Sequence, residues 1–228
     1  METQKINGIV VSVTKYKDFD ALCSILTDNG IKKVKFSGVR RPNAKMAFAS
    51  QPFFCGEFLL SGAKDYAVVT SVAQSNDFFN ITRNYEAYIL GANMLKIAQK
   101  IATNDTSELL QLVMICLATL QLQNIDILVV ENYFNTKILQ FLGVWSSEFC
   151  CALCGKDLSA GAILDAQTGA LFCKNCADEN GVVISSNVCA YLKNIATKSL
   201  SEQFNLQESV GVKTKANEIL KKLIESQT

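Results

Sequence analysis

Two pairs of cysteines, Cys151 with Cys154 and Cys173 with Cys176, stand eighteen residues apart in the pattern C-x2-C…C-x2-C. Each pair can present two thiolates from one tight turn, and two such turns supply four sulfurs to a single tetrahedral ion. The spacing constrains the chain strongly, because the stretch between must fold back until the turns meet. A divalent zinc ion enclosed by four sulfurs keeps no open position. The expected role is therefore structural: one Zn2+ per chain, held by Cys151, Cys154, Cys173 and Cys176. Cys150 adjoins the first pair and offers a C-x3-C alternative with Cys154. The C-x2-C turn closes better, since its backbone amides can point at the thiolates, and Gly155 suits that turn.

Composition narrows the chemistry further. The 228 residues include no histidine, so the commonest general base and metal ligand is missing. Serine–histidine and cysteine–histidine catalysis are excluded, as is a histidine-ligated catalytic zinc. No Gly-rich phosphate cradle opens a helix, and Asp18, Asp20, Glu131, Glu148 and Asp157 form no catalytic set. The chain reads as a non-enzyme. Its nine cysteines do not read as a disulfide framework: no basic-then-apolar segment opens the sequence, and the odd count leaves a thiol unpaired. Cys23, Cys55 and Cys116 sit in apolar patterns as small buried thiols, and Cys189 packs in a helix. The apolar runs are too short for a membrane span, so a cytoplasmic location is expected.

The net charge of +1 hides an asymmetry. Residues 1–56 carry nine Lys or Arg against four acids, whereas residues 57–228 carry thirteen against seventeen. A local polyanion-binding surface follows, on a chain that is not basic as a whole. The richest stretch holds Lys32, Lys33, Lys35, Arg40, Arg41 and Lys45. Three lysines on one strand and two arginines in the next loop suit phosphates. Lysines at a strand edge also discourage aggregation, and composition alone does not separate the two. Lys15 and Lys17 extend the patch, with Tyr16 and Phe19 either stacking bases there or packing in the core.

Residues 6–73 read as five strands. Ile6, Val10 and Val11 mark the first; Leu22, Ile25 and Leu26 the second, ending at Asp28-Asn29-Gly30; Ile31, Val34 and Phe36 the third. Residues 53–60 and 66–72, joined around Gly62, make the last two. Five short strands avoid open edges by curling into a barrel. An OB-fold is the first candidate and an SH3-like barrel the second. After Asp77 the period lengthens to that of helices over 78–102, from a cap at Asp105-Thr106-Ser107 to 122, over 127–142 ending at Gly143, from Ser185 or Ser186 to 200, and over 214–226. The fold class is multi-domain α+β. An N-terminal OB-fold barrel at 1–76 precedes a helical domain at 77–149 and 182–228, with a four-cysteine zinc knuckle inserted at 150–181.

This order of parts resembles the RecO family of bacterial DNA repair proteins. ILTDNGIKKVKFSGVRRPNAK, at 25–45, is similar to the family's strand pair and basic loop, and NYFNTKILQFLGV, at 132–144, to the helix before its knuckle. CALCG and LFCKNC resemble the halves of its zinc site, and VGVKTKANEILKKL its closing helix. The resemblance implies a recombination mediator without a catalytic site, nucleoid-associated, that binds single- and double-stranded DNA through the barrel. It implies annealing of complementary strands and contact with the acidic tail of the single-stranded DNA-binding protein. It also implies action with RecR in loading RecA. In several members the helix before the knuckle is rich in arginine and holds that tail. Here it has Glu131, Asn132 and Tyr133, with Lys137 as the remaining base. The alternative is a zinc-containing nucleic-acid-binding or scaffold protein of transcription or translation.

Overall fold

The structure, a computed structural model, describes residues 3–62, 66–74, 77–145, 148–178 and 181–227. Residues 63–65 of the expected turn near Gly62, 75–76 at the expected barrel boundary and 179–180 at the end of the expected knuckle lie outside these. Two compact units divide at residues 123 and 124.

The first unit is built on five strands: β1 (Thr3–Tyr16), β2 (Asp20–Thr27), β3 (Gly30–Phe36), β4 (Cys55–Ser61) and β5 (Ala67–Gln74). They close in the order β1-β2-β3-β5-β4, the five-stranded OB-fold. β3 and β5 pair in parallel, and the remaining neighbours are antiparallel. Closure rests on β1, which pairs with β4 from Thr3 to Ile9 and with β2 from Ile9 to Tyr16. The strand must bend between these halves, and its register with β2 shifts between Val10 and Ser12. At the bend Gly8 faces Gly56. A Cβ on Gly8 would collide with the Leu26 carbonyl oxygen, and one on Gly56 would sit 2.7 Å from the Ala73 carbonyl oxygen. Glycine is required there because backbones approach closely. Inward residues of alternating parity fill the barrel, among them Ile6, Val10, Ile25, Val34, Phe36, Phe54, Phe58 and Leu60. Phe54 meets Phe58 edge-on at 5.7 Å, and Phe36 meets Phe58 at 6.2 Å.

Two helices, α1 (Tyr85–Ile101) and α2 (Ser107–Leu120), belong to this same unit. The helix expected from residue 78 starts later. A 3-10 turn over Phe79–Arg83 precedes it, and Asn84 caps α1 by accepting the Ala87 N–H at 3.2 Å. Gly91 lets α1 approach the Phe53 ring and Leu117 of α2. In the expected Asp105-Thr106-Ser107 cap of α2 the Asp105 carboxylate accepts the Ser107 N–H at 3.4 Å, whereas the Thr106 side chain makes no cap. Its hydroxyl, fully buried, donates to the Thr27 carbonyl at 2.7 Å and accepts the Gly30 N–H at 2.7 Å. Its own N–H donates to the Asp28 carbonyl at 2.9 Å. The start of α2 thus clasps the β2–β3 turn. Gly30 there holds φ +86°, and a Cβ on it would lie 2.5 Å from the Thr103 carbonyl oxygen.

The second unit contains α3 (Ile127–Phe141), a small sheet of β6 (Ala162–Leu164), β7 (Leu171–Phe172) and β8 (Val182–Ile184), then α4 (Ser186–Thr197), the single turn α5 (Leu200–Gln203) and α6 (Val210–Gln227). Asp126 caps α3 through the Leu128 and Val129 N–H groups. Gly143, at φ +71°, ends it as expected, with the Val144 and Trp145 N–H groups returning to the Leu139 carbonyl. α6 begins one turn before the expected 214, because the Ser209 hydroxyl accepts the Val212 N–H. A polar seam joins α3 to α6. Asn132, fully buried, donates to the Lys213 carbonyl and the Tyr191 hydroxyl, and accepts from Asn217 at 2.9 Å. Asn217 also donates to Glu131, Lys221 pairs with Glu131 at 3.0 Å, and Lys213 pairs with Asp126. Burial pushes the Tyr191 hydroxyl up to about 12.

Replacing Thr106 by Val keeps the shape and deletes both turn contacts, leaving a buried N–H and a buried carbonyl short of partners. The expected cost is roughly 1–3 kcal/mol, seen as faster amide hydrogen exchange in the β2–β3 turn; Thr106→Ser should restore protection. Asn132→Leu should destabilise the second unit by a similar amount, roughly 1–3 kcal/mol, with exchange rising along α6. Unchanged exchange in either variant would mean that the hydrogen bonds hold nothing in place.

Candidate metal centre and nucleic-acid interface

The four cysteine sulfurs of the expected set come together. Sγ atoms of Cys151, Cys154, Cys173 and Cys176 all lie within 4.8 Å of one another. The first pair sits on a turn closed by the Gly155 N–H on the Cys151 carbonyl at 2.9 Å, with Gly155 at φ +70°. The second is closed by the Cys176 and Ala177 N–H groups on the Cys173 carbonyl, both at 3.0 Å. The Ala152 N–H donates to the Leu171 carbonyl at 2.9 Å and fastens one turn to β7. β7 is paired to β6, and β6 to β8, so the small sheet carries the second pair back to the first.

The geometry fits a four-sulfur ion. Metal–sulfur bonds of about 2.3 Å in a tetrahedron place sulfurs about 3.8 Å apart, and Cys154 Sγ lies 3.8 Å from Cys173 Sγ. All nine cysteines are free thiols. Cys151 is buried and Cys173 is 9% exposed. Backbone N–H groups of Cys173 and Cys154 pull the Cys151 thiol down to about 6, while the crowd of neighbouring sulfurs, Cys173 first, pushes Cys176 up to about 12. Four thiolates at these distances repel one another, and a cation at their centre supplies the missing charge. The set can hold one metal ion. Cys150 stands outside it, in an isolated antiparallel backbone bridge with Asp157. Cys23, Cys55, Cys116 and Cys189 are buried, as expected. Burial pushes Cys23 up to about 12 and Cys189 up to about 11, and raises Cys116 as well.

The basic cluster divides by strand parity. Val34 and Phe36 point into the barrel, so Lys33 and Lys35 stand on its outer face. Lys32 shares the parity of Val34 and is exposed all the same. The outer row Ser12, Ser24, Lys33 runs across β1, β2 and β3, beside the row Thr14, Leu22, Lys35. Past β3 the loop at 37–47 folds back onto the β1–β2 turn. The Gly38 N–H donates to Asp20 at 2.7 Å and the Arg40 N–H to the Phe19 carbonyl at 2.9 Å. The Arg40 guanidinium donates to the carbonyls of Lys17 and Asp18, so this arginine braces the turn as well as charging it. Arg41 lies over the Phe19 ring at 5.2 Å, and Phe19 is 46% exposed. Tyr16 meets Tyr66 edge-on at 6.4 Å, with the Lys17 ammonium 5.5 Å from the Tyr16 ring. Lys45 is exposed in the same loop. Loop and turn thus form one basic edge with aromatic rings between the charges.

None of Lys32, Lys33, Lys35, Arg40, Arg41 and Lys45 makes an ion pair among the described residues. Lys213, Lys215 and Lys221 of α6 are each paired with an acid. Lys137 is placed differently. Its ammonium donates to the Ala196 carbonyl at 2.7 Å, in the last turn of α4, and lies 5.5 Å from the Tyr133 ring. Burial lowers its pKa. The hydroxyl row on the barrel's outer face carried no sequence signal, because Ser and Thr at alternating positions resemble any wetted strand.

Comparison with known proteins agrees with this architecture. Residues 1–77 match the family described as Recombination protein O N terminal, and residues 82–228 that described as Recombination protein O C terminal. The DNA repair protein RecO of Caldicellulosiruptor bescii is 24% identical over 220 residues, covering 94% of this chain and 90% of the relative. That of Desulforamulus reducens is 22% identical, covering 99% and 90%, and that of Clostridium kluyveri 22%, covering 96% and 87%. With both halves of the family matched in sequence, and the barrel and the cysteine cluster in their places, this chain belongs to the RecO family.

Proposed function

We propose that the protein is a non-catalytic, DNA-binding mediator of recombination in DNA repair. In this reading it anneals complementary strands and, with RecR, helps load RecA onto single-stranded DNA covered by the single-stranded DNA-binding protein. One observation carries the reading: the cations of β3 and of the loop after it make no ion pair among the described residues, while three lysines of α6 are neutralised by acids. A phosphate backbone supplies the counter-charge that the barrel lacks. The rings of Tyr16, Phe19 and Tyr66 beside those charges suit unstacked bases. Annealing needs two polyanions held close and screened, and no nucleophile or general base.

In the same reading residues 1–76 form the DNA-binding domain, and Lys32, Lys33, Lys35, Arg40, Arg41 and Lys45 contact phosphates without reading sequence. Residues 150–181 form the knuckle, flanked by helical parts at 77–149 and 182–228. The metal is one structural Zn2+, supported by the four-sulfur donor set. Lys137 is the proposed contact for the acidic, apolar tail of the single-stranded DNA-binding protein. Since its ammonium already serves the end of α4, a carboxylate there shares the charge with the Ala196 carbonyl. Among the described residues no helix is long and apolar enough to cross a membrane. In the same reading the protein acts on chromosomal DNA in the cytoplasm, at the nucleoid.

The double variant Lys35→Gln with Arg41→Gln tests the surface while sparing the Arg40 brace. It should bind all single-stranded sequences more weakly, with the slope of log affinity against log salt shallower by about 1.4, roughly 0.7 for each lost contact. Annealing of complementary strands coated with the single-stranded DNA-binding protein should slow in parallel. Unchanged slope and annealing would remove this face from the function. Elemental analysis of the purified protein should find one zinc per chain; Cys173→Ala should lose it and unfold more readily in the second unit. Iron, or no metal, would overturn the zinc assignment.

A further inference from the structure

The four sulfurs of the metal centre are not equivalent. Cys151 and Cys173 are buried, Cys176 is half-buried, and Cys154 is the one exposed cysteine of the nine in the chain. The outer side of its turn is open: a Cβ on Gly155 would meet no atom within 4 Å, and Leu153 is 71% exposed. Cys154 Sγ also stands 3.8 Å from Cys173 Sγ, on the other turn. A disulfide needs about 2.0 Å between sulfurs, so a small shift of one exposed turn brings this pair to bonding distance. Cysteines are oxidised where they are reachable and stand beside a second thiol that can displace the oxidised group, whereas buried thiols are inert. Cys154 meets both conditions. Cys23, Cys55, Cys116 and Cys189 are buried and fail the first. The centre in turn supports its surroundings. β6 and β8 have three residues each and β7 has two, too few to persist as an isolated sheet. The β6–β7 hairpin packs on the end of α3: a Cβ on Gly169 would sit 2.6 Å from Val144 Cγ1 and 3.1 Å from the Val144 carbonyl oxygen. Trp145 follows in the chain, buried, with its ring 5.8 Å from that of Phe149. It is the sole tryptophan.

We propose that Cys154 is a site of reversible oxidation by peroxides, with Cys173 as its resolving thiol, and that this modification opens the metal centre. The Cys154 thiolate attacks one peroxide oxygen. The O–O bond breaks, hydroxide leaves, and Cys154 becomes a sulfenic acid. The Cys173 thiolate then attacks the Cys154 sulfur, the S–O bond breaks, and a second hydroxide leaves as the disulfide forms. Two thiolates have given up two electrons and one peroxide has taken them, and two solvent protons convert the hydroxides to water. Two sulfurs then remain where a closed site needs four, so the metal is released in its original oxidation state and the small sheet loses what joins its ends. A dithiol reductant restores the four sulfurs by exchange. The proposal rests on the reading that the four sulfurs hold zinc, and it adds the condition under which they give it up.

The full-length protein, as purified with its metal, is treated with hydrogen peroxide while a chromophoric indicator follows zinc release. All of the bound zinc should come off. Peptide mapping should find one disulfide, Cys154–Cys173, with Cys23, Cys55, Cys116 and Cys189 still reduced. Trp145 emission should shift to the red as the knuckle opens, and dithiothreitol with added zinc should reverse the shift. The Cys154→His variant keeps a four-donor set of three sulfurs and one imidazole but lacks the reachable sulfur. It should release zinc several-fold more slowly at the same peroxide concentration. If that variant does not retain zinc, the mapping of the wild-type protein decides alone. Zinc retained under excess peroxide would overturn the proposal, as would zinc lost with a disulfide between other cysteines, or with Cys154 carried to the sulfinic acid and no disulfide formed. Untreated protein that contains no zinc would overturn the metal assignment itself, a result distinct from these.

Discussion

The first unit depends on the bend in β1. A five-stranded sheet of this length has two edges to hide, and it hides them by having one strand serve as both. That is possible only because β1 can turn through the Gly8–Gly56 crossing and the register shift after Val10 without a side chain in the way. With the ring closed, the inward parity of β3 is fixed by Val34 and Phe36. The outward parity of Lys33 and Lys35 follows with it, because a slip of one residue would exchange the two sets. The basic outer face is thus a by-product of how the core is satisfied. The same closure sets the β2–β3 turn against Thr106, so the barrel's most local feature is completed by a residue far along the chain.

The second unit uses a different device. α6 is mostly polar, and its apolar stripe of Ala216, Ile219, Leu220, Leu223 and Ile224 could slide along α3 by a turn at small cost. Asn132, Asn217, Glu131 and Asp126 prevent this, because each makes its bonds in one register only. Buried polar contacts of this kind specify an arrangement more than they stabilise it. They also account for a feature of the sequence that resemblance alone left unexplained. Where several relatives place arginines on the helix before the knuckle, this chain has Glu131 and Asn132, and both are spent on holding α6.

Much of this was legible in the sequence. Strand alternation, the Asn-Gly turn, the helical period and the cysteine spacing each have a local cause, and each marked its element to within a few residues. The four-sulfur cluster was the most legible feature, since x2 spacing and backbone turn chemistry imply each other. What could not be read depends on contacts distant in sequence. Nothing around Thr106 distinguishes a residue that caps its own helix from one that clasps a turn some eighty residues earlier. The start of α1 was placed too early because Ile81 keeps the helical period while sitting in a 3-10 turn. Gly8 and Gly56 read as ordinary positions inside their strands until the strands cross.

The placement of charge ties these observations to function. The described lysines of α6 are largely balanced by acids, and Lys137 is committed to the end of α4. In the barrel, only Lys5 has an acid for a partner, Glu57, among the described residues. Leaving like charges unpaired on one small surface is unfavourable in isolation, and salt screens the repulsion only between charges farther apart than about a Debye length, roughly 8 Å at physiological ionic strength. A chain can keep such a surface when a polyanion is its regular companion, because each phosphate contact then releases a counterion and gains the Coulomb energy that folding withheld. Four cations of the second unit, Lys193, Lys213, Lys215 and Lys221, are paired with acids. In the proposed reading that contrast directs a strand to the barrel, where aromatic rings stand beside the unpaired charges.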